Sequence, residues 1–222
     1  MFSFYASHVE KYITGVLYLP WGYDIGMIGS TLMFAATGIW GETLWKHPLS
    51  IGGLTSGNLL ELSLHLSALS NLPISFYNIY MSYKEKTGKM RSTLECLRPL
   101  LPLVSFLVIS CVWVHWSKND IINTHARAVF LLNGTIFSNI SCRLIISQMS
   151  NTISENLNYL TPVFGVCFVI SFLIPTLEVT LIYLLLIGST IAHLHYGSKV
   201  VMQMCVHFDR ICFGVGTKKH HN

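Results

Sequence analysis

Hydrophobic residues along this chain come in long blocks, not in strict alternation or narrow stripes. Six blocks approach the roughly 20 mostly apolar residues that a helix needs to cross a bilayer: residues 25–44, 59–80, 99–116, 128–147, 160–174 and 179–196. The second is diluted by Glu61, His65 and Asn71. The fifth and sixth are separated only by residues 175–178, which suits a tight turn between antiparallel spans. The pattern predicts an all-α fold, a polytopic transmembrane helical bundle of about six spans. No internal repeat or low-complexity linker divides it, so a single membrane domain over 1–222 is expected. It has an interfacial stub at 1–24, six spans within 25–196 and a tail at 197–222.

Composition strengthens this picture. Hydrophobic residues make up 52% of the chain and charged residues only 11%, with a mean hydropathy of +0.53. Soluble domains carry about 25% charged residues, so much of this apolar side chain must face lipid. The net charge of +4 does not point to nucleic acid, because no basic stripe is interleaved with aromatics on a polar face. The cations instead mark sidedness. Six spans place both termini and the loops 81–98 and 148–159 together, and that side holds Lys11, Lys84, Lys86, Lys89, Arg91, Arg98, Lys199, Arg210, Lys218 and Lys219. The other side holds Lys46, Lys118 and Arg127. Ten against three predicts that both termini are cytoplasmic. Arg143 falls inside a block, at about 2.5–3.5 kcal/mol for a mid-bilayer position. It lies near the cytoplasmic end of its span, so snorkelling to the interface is expected.

Candidate chemistry is sparse. The six cysteines form no CxxC pair and read as small packing residues. Glu61 and His65 share a helix face and could relay protons within the membrane; a position of Glu61 near water is the plainer alternative. His193 and His195 are two apart, on different faces of a helix, and do not suit one metal ion. Asn133-Gly-Thr135 and Asn139-Ile-Ser141 match the glycosylation sequon but sit inside a span. The first residues, Met1 to His8, lack the pattern of a secretory signal and read like the tail of a helix begun further upstream. Glu178 is expected beside the headgroups, where replacement is tolerated. In Leu19-Pro-Trp-Gly-Tyr-Asp24, Pro20 and Gly22 favour a turn, Asp24 suits a helix N-cap, and Trp21 and Tyr23 suit a headgroup interface. With the polar His8-Val-Glu10-Lys11-Tyr12 before it, this region reads as an interfacial loop.

The stretch Ser7-His8-x-Glu10-Lys11-Tyr12-x-Thr14-Gly15-x-Leu17-x-Leu19-Pro20-Trp21-Gly22-Tyr23-Asp24-Ile25 resembles ethanolamine phosphotransferases, within the choline/ethanolamine phosphotransferases of the CDP-alcohol phosphotransferase superfamily. Leu72-Pro73, Ser82-Tyr83-Lys84, Ser147-Gln148-Met149-Ser150, Leu157-Asn158 and Ala192-His193-x-His195-Tyr196-Gly197 extend the resemblance along the chain. It implies transfer of phosphoethanolamine from CDP-ethanolamine to diacylglycerol, giving phosphatidylethanolamine and CMP, in the endoplasmic reticulum or Golgi membrane. It also implies magnesium or manganese ions (Mg2+ or Mn2+) held by the aspartates of D-x-x-D-G-x-x-A-R-x8-G-x3-D-x3-D. This chain has only Asp24, Asp120 and Asp209, with no Asp-Gly pair. The resemblance therefore covers the C-terminal part of the family fold. No catalytic or metal-binding residue carries over, and a chain inactive on its own is expected. Glu10, Trp21 and Tyr23 match positions near the cytoplasmic mouth of the family's cavity and are the candidate substrate-binding residues. Two other functions are open: a catalytically silent membrane partner, forming homo- or hetero-oligomers through its helices, and a small transporter using Glu61, His65 and Arg143.

Overall fold

A computed structural model describes residues 2–18, 22–48 and 53–214, except the side chains of Tyr23, Ile25 and Ala68. Among these residues the chain is all-α; the only β-type pairing is an isolated bridge between Pro48 and Thr55. It divides into two compact units, one of Met1–Leu97 with Ser147–Ile153, the other of Arg98–Ile146 with Ser154–Asn222.

The first unit contains α1 (Phe2–Thr14), α2 (Gly22–Trp40), a 3-10 turn (Glu42–Lys46), α3 (Ser56–Glu85) and the short α4 (Thr93–Leu97). The polar run around Glu10 is thus helix, not the expected loop. Its cause is a buried stripe at helical spacing: Tyr5, Val9, Tyr12 and Ile13 are all buried, and α1 lays this face along α3. The chain opens α3 with Thr55, whose Oγ1 accepts the Asn58 N–H at 3.3 Å, and closes it with Lys86 in the left-handed region at φ 55°.

Both α2 and α3 carry polar side chains on exposed surfaces, and many of these satisfy themselves on their own helix. Ser30, Thr31 and Thr37 donate to carbonyls one turn earlier. On α3, Ser63 donates to Leu60 O, Ser70 to Ser67 O, and Asn71 Nδ2 to Ser67 O. Such back-bonding lets a helix rich in Ser, Thr and Asn present a low-polarity surface. His65 Nδ1 likewise pairs with the backbone oxygen of Glu61 at 2.8 Å, not with its carboxylate.

The second unit contains α5 (Leu100–Trp116), α6 (Ile121–Thr124), most of α7 (Ala126–Met149), α8 (Leu160–Leu173), a 3-10 turn (Pro175–Leu177) and α9 (Glu178–His207). On α7 the buried residues Val129, Leu132, Ile136, Ile140 and Leu144 recur every three or four positions. Phe130 and Leu131 on the outer face are exposed at 65% and 61%, so both faces are apolar. Phe164 of α8 meets Phe106 and Trp113 of α5 at centroid distances of 5.7 and 5.2 Å, a geometry that adds to simple burial. The 3-10 turn joins α8 to α9 with no intervening loop, as the short link 175–178 predicts.

Among the described residues, three helical stretches are long and apolar enough to cross a membrane: Thr93–Trp116, Ala126–Met149 and Pro175–His207. They carry the third, fourth and sixth expected spans. The first and fifth correspond to shorter apolar helices, Gly26–Trp40 and Leu160–Leu173. The second corresponds to α3, a helix of 30 residues whose Glu61, His65, Asn71 and serines lower its hydropathy.

Candidate functional site

Glu10, the first candidate from the sequence, sits on the α3-facing side of α1 and is only 2% exposed. Its carboxylate accepts from Ser75 Oγ at 2.6 Å and Asn78 Nδ2 at 2.7 Å, both on α3. A buried carboxylate is tolerated when hydrogen bonds replace its water, and hydrogen bonds to an ionised group are the strong ones. Neither partner carries a charge, so the site holds an acceptor pair of high local electron density. Trp21 lies outside the described residues. Tyr23 falls in the first turn of α2, and its side chain is likewise outside the described set.

Two residues before Glu10, His8 is half-buried. Its backbone oxygen accepts from Gln148 Nε2, and its ring meets Phe4 edge-on at 4.6 Å. Burial lowers its pKa, the Gln148 amide opposes that shift, and Lys11 adds to it. His8 Nδ1 is buried without a hydrogen-bond partner, as is Gln148 Oε1. The sequence motif contains His8, but nothing in its spacing marks its half-buried setting beside Gln148.

The second unit holds two further polar centres. Arg143 donates from Nε to Asn139 Oδ1 at 3.2 Å and pairs with Glu155 at 2.6 Å. Its guanidinium lies 4.5 Å over Tyr196 and 5.0 Å over Tyr159. Asn139, fully buried, also accepts from Asn158 and lies 3.3 Å from His193 Nδ1. Arg143 thus reaches from its helix to the exposed Glu155 of the loop that follows. Its side chain is 17% exposed and is held by a carboxylate, an amide and two rings.

Glu178 is the second correction. Expected beside the headgroups, it is 2% exposed. It accepts from Trp113 Nε1 at 3.0 Å and Asn119 Nδ2 at 2.7 Å. The sequence gives no hint of this, because the partners stand 65 and 59 positions away.

Glu61 and His65, the candidate relay pair, line an open cleft of about 380 Å³ with Leu54, Asn58, Leu59 and Leu62. No three His, Cys, Asp or Glu side chains converge to hold a metal ion among the described residues. Those residues do not fit a two-metal phosphotransfer centre, which needs several carboxylates at one place.

No family model matches the chain. Among curated proteins it is similar to Ethanolaminephosphotransferase 1 of Homo sapiens, 37% identical over 211 residues, covering 94% of this chain and 53% of that protein. The Mus musculus Ethanolaminephosphotransferase 1 is 36% identical over 212 residues, with the same coverage of 94% and 53%. Cholinephosphotransferase 1 of Bos taurus is 23% identical over 154 residues, covering 68% of this chain and 38% of that protein. The chain thus spans about half the length of the curated relatives it matches most fully.

Proposed function

Because the chain is a homologue of the ethanolaminephosphotransferases, we propose that it serves phospholipid biosynthesis as the C-terminal, membrane-embedded part of such an enzyme. The reaction assigned to it is transfer of phosphoethanolamine from CDP-ethanolamine to the hydroxyl of diacylglycerol, releasing CMP. The observation that carries this reading is 37% identity across 94% of the chain. We place it in the endoplasmic reticulum or Golgi membrane, with both termini and the loop 81–98 cytoplasmic.

Within this reading Glu10, Trp21 and Tyr23 are assigned to substrate binding. What supports the assignment is the resemblance of their stretch to the family; in the fold both Glu10 oxygens accept from α3, one from Ser75 and one from Asn78. The metal-binding aspartates of the superfamily signature do not occur in these 222 residues. The chain by itself is therefore proposed to be unable to complete the transfer.

The test uses membranes from cells stripped of their own ethanolamine and choline phosphotransferases and expressing residues 1–222. With labelled CDP-ethanolamine, diacylglycerol and magnesium or manganese, labelled phosphatidylethanolamine should stay at the empty-vector level. Metal-dependent product above that level would overturn the claim of inactivity. The binding role is checked separately: retention of CDP-ethanolamine by the purified chain should fall on Glu10→Gln, and an unchanged affinity would remove Glu10 from the site.

A further inference from the structure

The connection between α3 and α4 carries positive charge that the fold leaves uncompensated. Lys84, Lys86 and Lys89 are exposed. Among the described residues none of them pairs with a carboxylate, although Glu85 and Glu95 belong to the same stretch. Lys89 Nζ instead donates to the neutral Asn151 Oδ1 at 3.1 Å. Tyr77 and Tyr80, just before these lysines, are each 62% exposed. Met90, Leu94 and Leu97, just after them, are exposed at 49%, 77% and 50%.

This surface is preorganised. Lys89 N–H donates to Ile13 O at 3.2 Å, and Arg91 Nε donates to Tyr12 O at 3.1 Å. The Arg91 guanidinium lies 4.1 Å over the Tyr12 ring, and Tyr83 Oη donates to Arg91 O at 2.6 Å. At Gly88 an added Cβ would stand 2.2 Å from Ser82 Oγ and 3.3 Å from Ile13 O, so the turn is packed without spare room. Arg91 is committed inward, whereas the three lysines are exposed and only Lys89 spends a donor, on the neutral Asn151. Charges on a fixed turn meet a partner with little ordering cost.

We propose that residues 84–97 form a docking surface for anionic phospholipid headgroups. The lysines meet the negative groups of the leaflet, and Met90, Leu94 and Leu97 seat among the upper acyl carbons. Clusters of lysine beside a membrane helix attract anionic lipid, and tyrosines mark the headgroup level. Continuity points to lipid over a protein partner: the exposed face of α3 leading to the turn carries Leu62, Leu66, Leu69 and Phe76, all more than half exposed. The inference does not depend on the enzymatic reading.

The test uses the full chain purified in a neutral detergent and titrated with dioctanoyl phosphatidylserine, dioctanoyl phosphatidylcholine or inorganic phosphate. Phosphatidylserine should bind at least tenfold more tightly than phosphatidylcholine. Replacing Lys84, Lys86 and Lys89 together by Gln should weaken it by about 100-fold, at about fivefold per lysine. The corresponding Lys→Arg triple should restore binding, and Lys118→Gln should leave it unchanged. The single variants Lys84→Gln and Lys86→Gln give the same answer at about fivefold each if the triple variant does not fold. Unchanged affinity in these variants, equal binding of phosphatidylcholine, or displacement by inorganic phosphate at lipid-like concentrations would each overturn the proposal.

Discussion

The two units bury one carboxylate each, and they do so in the same way. Glu10 is held by a hydroxyl and an amide, Glu178 by an indole and an amide, and neither faces a cation. The half-buried cation of the second unit, Arg143, takes its carboxylate from a residue that is itself 60% exposed. An acceptor can thus be buried among neutral donors, whereas this guanidinium is kept next to an anion at the edge of the fold. The difference between the carboxylates is what they hold. Glu10 fixes a short amphipathic helix against α3; Glu178 opens α9 and joins it to α5.

Removing Glu178 should therefore have the largest effect. Glu178→Ala leaves Trp113 Nε1 and Asn119 Nδ2 without their acceptors, at a cost of about 3 kcal/mol or more, since hydrogen bonds to charged groups contribute about 1.5–3 kcal/mol each. A lowered thermal midpoint of the reconstituted chain measures it, and a midpoint unchanged within error would return Glu178 to the headgroups. Glu10→Ala should follow at about 2 kcal/mol, because Tyr5, Val9, Tyr12 and Ile13 still anchor α1. Its signature is local: faster amide exchange in residues 2–14 with little change in the second unit. Glu155→Gln should cost less than about 1 kcal/mol, as exposed ion pairs do. Arg143→Gln, which empties the space between two rings, should cost more; equal effects would contradict the asymmetry.

The smallest effect is a pH dependence at His8. Its folded pKa lies below the usual value of about 6.5. The stability it contributes is present above about pH 6.5 and is lost as pH falls through the folded value. The thermal midpoint should drop between pH 7 and pH 5.5, and His8→Phe should flatten part of that drop. An identical slope in the variant would show that His8 does not titrate in a buried place.

The blocks of hydrophobic residues foretell the all-α architecture because lipid demands long apolar helices, and that demand is written in composition. They do not foretell which face of α7 is buried, because Phe130 and Leu131 on the outer face are as apolar as Leu132 and Ile136 within. In water the two faces would differ in polarity; in lipid they need not. The stripe on α1 was legible, since Tyr5, Val9, Tyr12 and Ile13 stand at helical spacing, but the polar residues between them drew attention to a loop. The burial of Glu178 was not legible, because its donors are distant in sequence. His8 shares its half-buried setting with His125 and His193, so no sequence signal sets it apart.

The length of α9 has a mechanical meaning. Its 30 residues rise about 45 Å at 1.5 Å per residue, against a hydrocarbon core of about 30 Å. Even at a steep tilt of about 40° the axis still projects about 34 Å along the membrane normal. At least part of a turn must stand clear of the acyl region, and at gentler tilts two or more turns do. Val201, Met202 and Val206 near its end are exposed, so the number of apolar side chains left in water depends on local membrane thickness. A thicker bilayer covers them and a thinner one strands them, which makes the end of α9 a ruler for the compartment in which the protein resides.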